Sequence, residues 1–329
     1  MEFNFTDKRL LEKLQQAFPL VEKPFDELGR DLGINTTETI ERIRALKSRS
    51  VIREICAIFD SRALGYQSTL AALSLPEGKL ESAADIISRH PGVSHNYARN
   101  YKYNLWFTLA LPPGEDMRVA CEKLASQVGA ESVLVLPAIK VFKIGAFFKI
   151  SDQDEVAVGI SNDGPYSQTT ISSQTLTPAE IALIRELQID LPLEERPFLG
   201  MAKRLGMKES EVLERATDFL SRGVMRRFAA LLFHRKLGFI ANGMGCWRVP
   251  VDRIEEVGKT FAASSQVTHC YQRVTYPQWT YNLFTMVHAP TQEGCLATIK
   301  LMAEKVKISD YIVLFSTREF KKATVKFYW

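Results

Sequence analysis

The sequence predicts an α+β protein of two tandem repeats, each a winged helix-turn-helix followed by a βαββαβ sheet domain. Three observations lead there. The stretch VSHNYARNYKYNLWFTLALP (93–112) returns as VTHCYQRVTYPQWTYNLFTMVHAP (267–290), so His-x-Tyr-x-Arg runs into Tyr-Asn-Leu twice. Lys23-Pro24-Phe25 matches Arg196-Pro197-Phe198, Leu32-Gly33 matches Leu205-Gly206, and Leu64-Gly65 matches Leu237-Gly238, all at one offset; Leu136 and Phe142-Lys143 correspond to Leu314 and Phe320-Lys321 after a small insertion. Between the copies, 161–175 is rich in Ser, Gln and Thr and has no periodicity. A period this long is no solenoid repeat; it means two homologous halves joined by a linker.

The elements follow in order. Asp7 can cap a helix over 8–16, a second spans 24–32 and stops at Gly33, and Thr36 or Thr37 starts a third over 38–49, with Ile40, Ile43 and Leu46 on one face. Val51, Ile52, Ile55 and Ile58 continue as a short β-ribbon, the wing. A strand at 67–75, a helix at 80–89 ended by Pro91-Gly92, paired strands at 93–100 and 103–111, a helix at 117–128 and a long strand at 131–144 complete the half. The second half repeats the plan. Thr177-Pro178 opens a helix, Gly206 ends the next and 209–222 forms the third; strand 242–249, helix 251–263, strands 266–273 and 280–288, helix 294–305 and a strand from 310 follow. Two helices on one face of a four-stranded antiparallel sheet is the ferredoxin-like arrangement. The expected domains are 1–62 and 176–238 (winged helix-turn-helix), 63–150 and 239–329 (ferredoxin-like), with 151–175 as linker.

Bulk properties narrow the classes. The chain has 329 residues, 46% hydrophobic and 24% charged, which suits an ordinary soluble protein with sizeable cores. A net charge of +4 permits an anionic ligand without demanding nucleic acid. No apolar run approaches the roughly 20 residues needed to span a bilayer, and the charged start MEFNFTDKRLLEKL has no signal-peptide core. Cys56, Cys121, Cys246, Cys270 and Cys295 are odd in number, scattered and free of any CxxC pair, which argues against disulfides and a structural metal site. The expectation is a cytoplasmic protein without a membrane partner.

The repeated segments carry the chemistry. Residues two apart in a strand share a face, so His95, Tyr97, Arg99, Tyr101 and Tyr103 project together, as do His269, Tyr271, Arg273 and Thr275. Polar residues are costly to bury, so a cationic and aromatic face written twice points to a flat, anionic ligand. Plainer readings exist. A lone strand histidine is usually structural, and only its recurrence with Tyr and Arg at fixed spacing argues otherwise. Tyr103, Tyr281, Asn104 and Asn282 can simply fix the hairpins, Trp106 can be core, and Lys140, Lys143 and Arg318 can be solvated strand charges. His288, with no counterpart at Leu111, reads as structural, as do His90 and His234.

The order of the units resembles the Lrp/AsnC regulators. HNYARNYKYNLWFTL, HCYQR…WTYNLF and VLPAIKVFKIG (135–145) are more specific: they resemble the two halves of the siroheme decarboxylases, Lrp-like enzymes in which the halves occur as separate subunits or one fused chain. The family pattern HNYxRxHxYN has a second histidine where this sequence has Tyr101. The resemblance implies a carboxy-lyase that converts two ring acetates of siroheme to methyls, for haem d1 or the alternative haem route. It implies siroheme as the partner and no cofactor, the iron belonging to the substrate, and a pseudo-dimer of halves that can pair further as a homodimer.

Such a reaction needs carboxylate clamps, a proton donor and flat packing surfaces. Arg99 and Arg273 suit the first because guanidinium grips carboxylate bidentately, with Lys140, Lys143 and Arg318 as outer clamps. His95 and His269 are the candidate general acids, one per acetate, or ligands to the substrate iron. Tyr97, Tyr101, Tyr103, Asn104, Trp106, Tyr271, Trp279, Tyr281 and Asn282 would pack against the macrocycle or donate to it. The alternative is a transcription regulator with a tetrapyrrole or small-molecule effector; a tetrapyrrole carrier is a third reading. Against DNA, the would-be recognition helices begin INTTETIERIRALKSR and MKESEVLERATDFLSR, and Glu38, Glu41, Glu209 and Glu211 would face phosphate.

Overall fold

The computed structural model describes residues 3–144, 147–150, 156–159, 175–233 and 241–329. The first half runs α1 (Phe5–Gln16), α2 (Pro24–Leu32), α3 (Thr36–Ser48), β1 (Ile52–Phe59), β2 (Gln67–Ser74), α4 (Leu80–Arg89), β3 (Val93–Arg99), β4 (Leu105–Leu111), α5 (Met117–Gln127) and β5 (Ser132–Ile144). A hairpin of β6 (Phe147–Ile150) and β7 (Val156–Gly159) follows, so part of the stretch assigned to linker is strand. The rest of that linker up to residue 174, and His234, Leu237 and Gly238, lie outside the described residues. The second half runs α6 (Pro178–Leu187), α7 (Pro197–Leu205), α8 (Glu209–Ser221), β8 (Met225–Leu232), β9 (Ala241–Trp247), α9 (Ile254–Ala262) after a 3₁₀ turn, β10 (Val267–Arg273), β11 (Leu283–Ala289), α10 (Gln292–Val306) and β12 (Tyr311–Lys322).

Two local expectations change. The cap of α1 is Asn4, whose side chain accepts from Asp7 N–H at 2.8 Å; Asp7 instead pairs with Arg42 on α3 at 3.0 Å. Among the described residues the wing strands pair between the halves and not within them. β1 of one half pairs antiparallel with β8 of the other, and the helices of both units close over one apolar core that includes Leu10, Phe25, Ile43, Leu183, Phe198 and Phe219. Each of these strands has an edge to cover, and its duplicate covers it. Gly33 and Gly206 end α2 and α7 at φ of 70° and 66°, in the left-handed region that glycine enters without penalty.

The two ferredoxin-like sheets close into a single antiparallel barrel of order β10-β11-β9-β12-β3-β4-β2-β5. The closing strands are the last of each half. Residues 132–137 of β5 pair with β2 of their own half, while 138–144 pair with β10 of the other. β12 does the same, first with β9 and then with β3. The tip of each strand is fastened to a helix it does not belong to: Lys143 Nζ donates to Ser264 O beyond α9, and Lys321 Nζ to Ser88 O in α4, both at 2.7 Å. Phe142 lies over Gly258 of α9, where a Cβ would stand 2.4 Å from the ring.

Strand alternation then sorts residues between two sides. Ala71, Leu73, Leu105, Phe107 and Leu109 face α4 and α5, and Trp247, Val267, Leu283 and Val287 face α9 and α10. Leu70, Ala72, Trp106, Met244, Cys246, Phe284 and Leu314 face inward. No helix among the described residues is long and apolar enough to cross a membrane.

Candidate active site

One end of the barrel interior is packed solid. Trp279, from the Pro277–Trp279 insertion, fills it at 2% exposure; its ring meets those of Trp106 at 5.4 Å and Tyr281 at 5.2 Å edge-on, and stacks on Phe284 at 6.2 Å. Tyr101 and Tyr103 close around it, each at 5.9 Å, with Tyr101 reaching solvent. The remainder is a cavity of about 1110 Å³, just above the roughly 300–1,000 Å³ of ordinary small-ligand sites.

Both copies of the motif open into this one cavity: His95, Tyr97 and Arg99 from β3, and His269, Tyr271 and Arg273 from β10. Lys140, Trp106, His288 and Lys322 also line it, and no Asp or Glu does among the described residues. The two arginines are held by an exchange between halves. Arg99 donates through Nη1 to Leu314 O on β12 at 2.9 Å, and Arg273 through Nη1 to Leu136 O on β5. Each Nε is buried without a partner. Arg273 sits over Tyr271 at 4.8 Å and Arg99 over Tyr97 at 5.9 Å. Burial pulls both guanidinium groups down to about 10, so both stay charged at neutral pH.

The histidines are alike in placement and differ in wiring. Each ring lies 6.1 Å from the tyrosine two residues on. His95 Nδ1 is 3.0 Å from Ser94 Oγ, which is 2.7 Å from Thr108 Oγ1. His269 Nδ1 is 2.9 Å from Thr268 Oγ1, whose hydroxyl donates to Met286 O at 3.4 Å. Burial lowers both imidazoles to about 4, helped for His95 by Lys322 and for His269 by Arg273 and Lys322. In the ligand-free cavity both are neutral at physiological pH.

The other expected residues stand elsewhere. Asn104 brackets the end of β2, accepting from Leu75 N–H and donating to Leu75 O, both at 3.0 Å; Asn282 repeats this at Val249. These two fix hairpins and do not line the cavity. Arg318 pairs with Glu81 at 2.6 Å outside the barrel, and Lys143 is spent on Ser264. Lys140, which lines the cavity, pairs with Glu255 at 2.5 Å as the counterpart of Arg318. Tyr101, Tyr103, Trp279 and Tyr281 form the plug, and Trp106 spans plug and cavity wall. His288, read as structural, lines the cavity, and Lys322 was not singled out at all. The inward alternation Phe284–Met286–His288 was the available signal for the first. By hydrogen-bond register the counterpart of His288 is Ala110, not Leu111: Ala110 N–H donates to Gly92 O as His288 N–H does to Gln266 O.

Comparison with known proteins agrees with this geometry. Residues 7–53 and 180–226 match the model of the siroheme decarboxylase NirDL-like HTH domain, and 63–143 and 236–321 that of the AsnC-like ligand binding domain. The siroheme decarboxylase of Hydrogenobacter thermophilus is 39% identical over 97% of this chain and 94% of its own. The siroheme decarboxylase beta subunit of Methanosarcina barkeri is 44% identical over 45% of this chain and 97% of its own. A crystal structure of the siroheme decarboxylase NirDL in co-complex with an iron-uroporphyrin III analogue superposes at a TM-score of 0.76, with 36% identity over 98% of this chain and 94% of that one. A doubled helix-turn-helix, a barrel shared by two AsnC-like domains and near full-length identity together place this chain in the siroheme decarboxylase family.

Proposed function

We propose that this protein removes CO2 from two ring acetates of siroheme, leaving methyls. The observation that carries the reading is the barrel cavity into which both His-Tyr-Arg faces point and which, among the described residues, no acidic side chain lines. A planar polycarboxylate meets cations on two sides and no like charge there. Buried arginine is suited to carboxylate because it stays ionised and offers paired N–H donors. With Nη1 of Arg99 and Arg273 fixed on backbone carbonyls, their remaining N–H groups are oriented before the ligand arrives.

In each decarboxylation the bond between the acetate methylene and its carboxyl group breaks. CO2 leaves, the electron pair spreads into the conjugated ring, and a proton makes the methyl. The neutral imidazoles cannot deliver that proton until something raises their affinity for it, and the carboxylates of the substrate are the negative charge that would do so. The wiring divides the labour. The Ser94–Thr108 hydroxyl pair can run in either direction, so it follows His95 through both protonation states; His95 is our proton donor. Thr268 Oγ1 has Met286 O within reach at 3.4 Å, and donating there it would hold the His269 hydrogen on Nδ1 and leave Nε2 bare; we assign His269 to the substrate iron on that basis. The five cysteines are buried and unpaired, which supports a cytoplasmic site of action.

Anaerobic incubation with siroheme and mass analysis of the pigment tests the reading. Loss of two CO2 units is the expected result; siroheme recovered intact under verified reducing conditions refutes it.

A further inference from the structure

The cavity inherits an ambiguity from its duplication. Arg99 and Arg273, and His95 and His269, are near-equivalent across the barrel, so a planar polyacid could seat in two orientations related by exchange of the halves. The two orientations would present different acetates to His95. Something outside the repeated motif has to discriminate.

The layer at the histidine level does so. Around the barrel in strand order it reads His269 on β10, His288 on β11, Asn242 on β9, Lys322 on β12 and His95 on β3, then Ala110 on β4, Ser68 on β2 and Ile144 on β5. Register joins neighbours within it, His95 opposite Lys322, His269 opposite Ile144, Asn242 opposite His288 and Ser68 opposite Ala110, and His288 stands close enough to His269 and Lys322 for both to disfavour its protonated form. The repeat makes Ile144 the counterpart of Lys322, Ala110 of His288 and Ser68 of Asn242. One arc therefore has a lysine, an extra imidazole and an amide, held in place by Ser316 Oγ at 3.0 Å from Asn242 Oδ1, where the other has a methyl, a short hydroxyl and a branched alkyl group. The motif arginines and histidines are symmetric in placement; the rest of this layer is not.

We propose that Lys322 and His288 are specificity-determining residues that fix which way round the macrocycle binds, and so which acetate is lost first. This rests on the siroheme reading above. Lys322 draws a carboxylate-bearing edge to its arc, and His288 offers that edge a second donor. Ala110 and Ile144 leave space and apolar surface for the opposite edge. With one donor, His95, orientation becomes reaction order, and the second loss requires the ring to reposition.

The test is the isomer composition of the singly decarboxylated intermediate, trapped early in anaerobic turnover of siroheme by the full chain. The wild type should give one of the two isomers in an excess of at least about tenfold, the bias that about 1.4 kcal/mol provides. Lys322→Ile combined with His288→Ala, which copies the other half into this one, should bring the isomers to near equality while two CO2 are still lost. Should that protein fail to fold, Lys322→Gln serves, with an intermediate drop in the excess expected. A variant that turns over with the wild-type isomer excess, or a wild type that yields both isomers equally, overturns the proposal alone. Siroheme left untouched by the wild type overturns the functional reading and this proposal with it.

Discussion

On the function proposed above, Arg99 and Arg273 would clamp the carboxylates of the ligand, and each is held by a backbone carbonyl of the half it does not belong to. Because Nη1 is fixed to the partner half's backbone, Arg273→Ala removes a preset clamp and loosens little else inside the cavity. Affinity for iron-uroporphyrin III, read from a visible-absorbance titration, should fall about 10- to 100-fold, the range expected for losing hydrogen bonds to a charged group worth about 1.5–3 kcal/mol. His95→Ala should bind nearly as well and lower kcat about 10²- to 10⁴-fold, the usual contribution of a positioned acid. His269→Ala should alter the absorbance of the bound iron macrocycle, which His95→Ala should not. The imidazoles also set an acid limit on stability. Burial holds His95 and His269 near 4 against an ordinary 6.5, so between those values the unfolded chain binds more protons. The melting temperature should fall as pH drops through that window and gain nothing from these groups above it; a curve that stays flat down to pH 4 would show that the histidines are not buried as described.

At the scale of elements, β5 and β12 make the barrel, and their length is the only sequence sign of it. A strand over 131–144 is legible from composition, but nothing in its periodicity announces that residues 132–137 and 138–144 pair with different halves. The β1–β8 pairing escaped for the same reason: one open-edged strand reads alike whether its partner is local or distant. Helices were easier, since Gly33, Gly206 and the 3.6-residue period act locally. The Pro277–Trp279 insertion has a structural consequence of its own. Trp279→Ala should cost about 3–5 kcal/mol in denaturant unfolding, as for other large aromatics removed from a core, because the plug has nothing else to collapse onto. In α3 and α8 the first turns are acidic, and Arg42 and Arg215 are engaged within their own units, by Glu38 and Asp7 and by Glu211, rather than presented to phosphate. These helices are expected to serve as scaffold, and salt-sensitive DNA binding should be absent even at low ionic strength.

For the whole molecule, duplication was the legible fact and its geometry was not. The repeated His, Tyr and Arg could be found because identical polar residues recur at a spacing that strand alternation turns into a face. That the two faces meet in one lumen follows only from barrel closure, a long-range pairing with no local mark. His288 reads as structural and Lys322 goes unmarked because both break the repeat, and self-similarity says nothing of what is present once. The central claim is therefore one of number: two half-chains build one site. Titrating the intact protein with iron-uroporphyrin III under tight-binding conditions measures it directly. One equivalent per chain should saturate the absorbance change, and Arg99→Ala and Arg273→Ala should each weaken that same equivalent; two independent equivalents, each sensitive to only one of the arginines, would contradict it.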